Sequence, residues 1–179
     1  PLYVKLKMSV VLSFLHAFDI PAKSFRIRYL YIVYHNRDIT KEELRLILDN
    51  ADVRNRAVFL VLYESGMRPE TLSHLKWKHI KNDWGNIPLK IDLTPDILKC
   101  RVSYRWTFIG EDGVKALKTY LASRLPLKDE DYIFVTEKPP NKRLTAQAMS
   151  QAFNKLIQKL KLAESRGKKP KALRLYCLR

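Results

Sequence analysis

The sequence predicts an α+β fold that is mostly helical, with a small antiparallel sheet packed against a helical bundle. Three observations carry that expectation. Apolar residues recur at helical spacing through most of the chain. Two neighbouring stretches, "IPLKIDL" (87–93) and "RVSYRWTFI" (101–109), instead alternate with period two and carry β-branched or aromatic side chains. The composition, 46% hydrophobic and 29% charged over 179 residues, suits one good hydrophobic core.

Each element has its own local reason. "VKLKMSVVLSFLHAFDI" (4–20) repeats Leu6, Val10, Leu12, Phe14, Leu15 and Phe18 at helical spacing, and Pro21 closes it. Residues 22–39 mix basic and aromatic side chains without a long helical pattern and read as a linker. Thr40 followed by Glu43 forms a capping box that opens the next helix. "VRNRAVFLVLYESG" (53–66) is a helix apolar nearly all along and ended by Gly66. Pro69 is placed for the first turn of a helix predicted over 69–80. "NDWGN" (82–86) is a turn, and "TPDILKC" (94–100) joins the two strands. A helix follows over 111–125, then a short extended piece over 131–136. Thr145 caps a long amphipathic helix running to about Leu162. "AESRGKKPKA" is a basic loop, and "LRLYCLR" begins an apolar element.

Charge narrows the function classes. The net charge is +16, but residues 38–137 carry 16 basic and 16 acidic side chains. The excess sits at the two ends, +5 over residues 1–37 and +11 over 138–179. Basic segments of this kind suit a polyanion, because neutralising phosphates releases counterions. A solvated basic face is the plainer alternative. With only 5 glycines, a glycine-rich nucleotide cradle is disfavoured. No apolar run reaches the ~18 residues of a membrane span, and no signal-peptide pattern opens the chain. Cys100 and Cys177 are read as reduced thiols of an intracellular, cytoplasmic protein. The four histidines are scattered without metal-ligand spacing, so no metal and no cofactor is expected.

What remains is basic residues and tyrosines, a set that suits transesterification at a DNA phosphodiester. Guanidinium groups stay charged and can hold non-bridging oxygens bidentately in the transition state. A lysine can protonate the leaving 5′ oxygen, and a tyrosine phenolate can attack phosphorus.

"VFLVLYESGMRPETLSHLKWKHI" (58–80) resembles the first conserved box of the tyrosine recombinase, or phage integrase, family, archaeal members especially. The next segment, 87–121, resembles the family's lysine-bearing β-hairpin and following helix. "LTAQAMSQAFNKLIQKLKL", a basic loop and "YCLR" resemble the approach to its second box. The resemblance implies that residues 38–179 form a catalytic domain. Residues 1–21 would be the last helix of a DNA-clamping core-binding domain, and 22–37 the linker. It implies catalytic roles for Arg68, Lys99 and Arg179. Glu70, Thr71 and Tyr176 occupy supporting or box positions: Thr71 stands where the family has an acid, with Glu70 one position away, and Tyr176 where it has His or Lys. Lys142, Arg143, Arg166, Lys168, Lys169, Lys171 and Arg174 are the expected DNA contacts. The implied partner is double-stranded DNA, on which the family assembles as a tetramer, and the implied location is the cytoplasm, on the nucleoid if the protein is cellular. Because the chain ends at Arg179, ahead of the family's nucleophilic tyrosine, it is expected to bind DNA but not to cleave it alone. The alternative is a non-enzymatic or inactive DNA-binding protein using 69–80 as a helix-turn-helix segment, with Thr71, Ser73 and His74 facing bases. Trp77 and Trp106 are expected in the scaffold rather than stacked on bases.

Overall fold

A computed structural model describes residues 2–21, 38–98, 103–137, 140–162 and 173–178. The expected linker 22–37, Lys99, Cys100, the first residues of the second expected strand, the whole basic loop 163–172 and Arg179 lie outside the described residues. The chain divides into two units, residues 1–35 and 36–179. The first contributes one helix, α1 (Leu2–Ala17), whose end is turned by Ile20 N–H donating to Leu15 C=O at 3.0 Å.

The second unit is built on α3 (Val53–Ser65), where six consecutive residues, Ala57 to Leu62, are buried. A helix apolar on every side must be surrounded, and α3 packs against α2 (Lys41–Asp49), α5 (Glu111–Leu121), α6 (Ala146–Lys159) and the sheet. Its ends are defined by Asp52, which accepts from Asn55 N–H at 2.8 Å, and by Gly66 in the left-handed region at φ 63°. The Thr40–Glu43 capping box opens α2 as expected, with both reciprocal bonds formed at 3.1 and 3.2 Å. Thr145 caps α6 by accepting from Ala148 N–H.

The sheet is one antiparallel pair, β1 (Leu89–Leu93) and β2 (Arg105–Ile109), with Leu89 opposite Ile109 and Ile91 opposite Thr107. Leu89, Ile91 and Leu93 face the core, as period two requires. The piece over 131–136 forms no strand; it makes single bridges, Lys76 with Tyr132 and Val135 with Arg143.

The helix predicted over 69–80 is corrected. The observed α4 spans only Pro69–Ser73. Leu75 C=O then accepts from Ile133 N–H, and Trp77 and Lys78 donate to the 129–131 loop, so pairing with that loop replaces further helix. A 3-10 turn follows at Trp77–His79. Trp106 lies outside the core: it is 59% exposed on β2, on the solvent side of the pleat, with Lys90 Nζ 5.7 Å from its ring.

Candidate active site

The turn that presents Arg68 is fastened from three sides. Ser65 C=O accepts from Thr107 Oγ1 at 2.8 Å, tying the end of α3 to β2. Ser65 Oγ accepts from Met67 N–H, and Met67 and Pro69 on either side of Arg68 are buried. Behind it, Glu64 accepts from the Gly110 and Gly113 amides at 2.8 and 3.2 Å, which caps α5 from α3. Arg68 itself is the extended residue ahead of α4, with an exposed side chain that has no hydrogen-bond or ion-pair partner among the described residues.

That side chain lines a cleft of about 640 Å³. Arg68, Glu70, Thr71 and His74 enter it from α4 and its ends. Asp96, Ile97 and Leu98 come from the turn after β1, and Tyr176 from the 3-10 turn Leu175–Leu178. Three segments far apart in sequence thus converge on one concavity. Leu173, Leu175 and Leu178 are buried in the core and anchor the last of them.

Two hydrogen-bond chains organise the walls. On α4, His74 Nε2 lies 3.2 Å from Glu70 Oε1 and also meets Arg143 Nη1. Arg143 donates to Ser73 Oγ at 3.2 Å and lies 3.8 Å from Glu70. Glu70 is therefore held by His74 and Arg143, not by Arg68. Below the turn after β1, His79 Nδ1 accepts from Lys76 N–H at 2.9 Å, which leaves Nε2 to donate to Thr94 Oγ1 at 3.1 Å. Burial pushes the His79 imidazole below its ordinary value. The Thr94 hydroxyl in turn holds the Asp96 carboxyl below the usual carboxylate range.

Of the residues expected from sequence, Arg68, Glu70, Thr71 and Tyr176 share the cleft. Thr71 is buried at 5% exposure. Arg143 is half-buried in the network just described, whereas Lys142 and Arg174 are exposed. Lys99, Arg166, Lys168, Lys169, Lys171 and Arg179 lie outside the described residues. Sequence reasoning missed the roles of His74 and Asp96. His74 stands four residues after Glu70, the spacing of neighbours on one helix face, and that was the available signal. Nothing local marks Asp96.

The helix-turn-helix alternative does not survive. A recognition helix presents its polar residues outward, but α4 is five residues long, and Thr71 and Ser73 are 5% and 1% exposed. Among the described residues, no three His, Cys, Asp or Glu side chains are grouped to hold a metal, and no helix is long and apolar enough to cross a membrane.

Comparisons with known proteins agree with this architecture. The crystal structure of XerA recombinase superposes with a TM-score of 0.59 at 22% identity, over 97% of this chain and 57% of that one. A lambda integrase dimer bound to a COC′ core site gives 0.68 at 13% identity, over 98% and 48%. The Tn1549 transposon integrase in complex with circular intermediate DNA gives 0.54 at 17% identity, over 90% and 53%. The chain spans about half the length of these solved chains. No curated protein sequence matches it. The phage integrase family model matches residues 37–178, the region that holds the central helix, the hairpin and the cleft. This chain therefore belongs to the phage integrase family.

Proposed function

We propose that this chain is a DNA-binding catalytic-domain segment of a site-specific tyrosine recombinase, which cleaves and rejoins DNA through a covalent 3′-phosphotyrosine. The supporting observation is the convergence on one cleft of Arg68, the turn ending at Leu98 and the 3-10 turn ending at Leu178. Those two turns are followed in sequence by Lys99 and Arg179. In this reading Arg68 and Arg179 hold the non-bridging oxygens of the scissile phosphate, whose negative charge grows in the transition state. Lys99 gives a proton to the departing 5′ oxygen. The attacking phenolate is assigned to none of the described tyrosines; Tyr176 belongs to the cleft wall. Thr71, buried just after Arg68, supports its turn, and Glu70 serves the His74–Arg143 wall.

The partner is double-stranded DNA, contacted along its backbone by Lys142, Arg143, Arg174 and the basic residues 166–171. Residues 38–179 act as the catalytic domain. Residues 1–21 are the last helix of a DNA-clamping domain, joined by 22–37. Copies associate on DNA. The test is adduct formation on a nicked DNA site by the gene product that carries the attacking tyrosine. Arg68→Ala and Lys99→Ala are expected to lower adduct yield at least ~10²-fold, the scale of losing one transition-state donor, whereas Tyr176→Phe retains it. Unchanged yield in both of the first two variants refutes the assignment.

A further inference from the structure

His74 lines the same cleft as Arg68, and its two polar neighbours make opposite demands on one atom. Arg143 can only donate, so it needs a lone pair on Nε2; Glu70, ionised, can only accept, so it needs a hydrogen there. A neutral ring that accepts from Arg143 carries its single proton on Nδ1. The imidazolium satisfies Glu70 and carries hydrogens on both nitrogens. Arg143 keeps Ser73 Oγ at 3.2 Å and Glu70 at 3.8 Å as alternative partners when it loses the ring. Wherever Arg143 donates to Nε2, or the ring is an imidazolium, Nδ1 bears a hydrogen, and it has no partner among the described residues. Arg68, Glu70, Asp96 and Tyr176 line the same cleft as His74, and Arg143 meets its ring. His79 cannot act in the same way, because Lys76 N–H and Thr94 occupy both of its nitrogens.

We propose that His74 Nδ1–H is a hydrogen-bond donor to a non-bridging oxygen of the phosphodiester that Arg68 holds. This rests on the phosphodiester reading above. It assigns His74 to stabilising charge on the phosphate rather than to taking the proton of the nucleophile, since Nδ1 has no lone pair to offer while Nε2 accepts from Arg143 or the ring is protonated.

Two experiments test it. In the 179-residue chain labelled with ¹⁵N, long-range imidazole spectra should show neutral His74 as the Nδ1–H tautomer. Its Nδ1 signal should shift when a short DNA duplex is added. An Nε2–H tautomer overturns the inference, and so does an Nδ1 signal that stays still in DNA-saturated protein. Failure of the duplex to bind at all instead overturns the phosphodiester reading, and the inference with it. In the gene product that forms the adduct, His74→Leu should slow adduct formation roughly 10²-fold, as losing one such donor does. His74→Asn, whose amide N–H lies near the place of Nδ1, should stay within a few-fold of the parent across pH. Equal losses in the two variants identify a proton acceptor and overturn the donor role, as does full activity in His74→Leu. Unfolding midpoints of both variants separate lost chemistry from lost structure, and the tautomer measurement decides the matter if His74→Leu does not fold.

Discussion

Gly113 shows how a single missing side chain shapes the turn that carries Arg68. A Cβ at this position would lie 2.3 Å from Glu64 Oε2, inside any tolerated contact. The carboxylate can cap the start of α5 only because nothing stands there, and Gly110 supplies no side-chain cap of its own. Gly113→Ala is expected to push Glu64 away from both amides and to destabilise the protein by about 1–3 kcal/mol, the cost of orphaned buried donors. Urea unfolding checks this, and an unchanged midpoint would mean that the cap is dispensable. Sequence reading could not see this contact, since Glu64 and Gly113 are 49 positions apart. The position of Arg68 was legible because its markers are local: an apolar helix ended by a glycine before it and a proline after it.

At the scale of elements, the segment after α4 is the part most altered by its neighbours. Lys76 and Lys78 reach Glu130 at 2.5 and 2.8 Å, and Lys81 reaches Asp129 at 2.5 Å. The lysine at 76, then that at 78, hold the Glu130 carboxyl at about 2, well below its ordinary 4.5. A depressed carboxylate contributes stability above its unfolded value and loses it as pH falls through the folded one. The stability difference between the parent and Glu130→Gln should therefore be constant above pH 4.5 and shrink from there towards pH 2. Urea midpoints over that range measure it; a difference that does not change with pH would show that the pairs are idle. His79 titrates the same region from the buried side. Burial lowers its folded value below 6.5, so the unfolded chain takes the proton first and stability falls as pH drops below that point. His79→Gln should flatten this decline in thermal unfolding between about pH 7 and 5. These contacts also explain why period alone overextended the helix to residue 80. Pairing of Leu75 and Trp77 with the 131–133 backbone outweighs a few more turns of local propensity.

At the scale of the whole molecule, the charge separates into a neutral scaffold and basic ends, with 12 basic and 1 acidic residue after position 137. If these residues contact backbone phosphate, replacing Lys168, Lys169 and Lys171 by Ala should weaken duplex binding about equally for all sequences. It should also reduce the slope of log K against log salt by roughly 2–3. Fluorescence anisotropy at several salt concentrations measures it, and an unchanged slope would release this loop from the interface. The class of fold, the capped helices α2 and α6, the core helix α3 and the hairpin were all readable in the sequence. Each depends on a periodicity or on a cap within a few residues, and local physics is sufficient for those. The sequence by itself also placed Arg68 just ahead of a helix that starts at Pro69. Only the tertiary structure decided what surrounds it. The joining of Glu70, His74 and Arg143, the entry of Asp96 and Tyr176 into one cleft, and the shortening of α4 all depend on contacts between distant segments. Such contacts leave no periodic trace, because the groups that meet are set by how helices and sheet pack, not by their spacing along the chain.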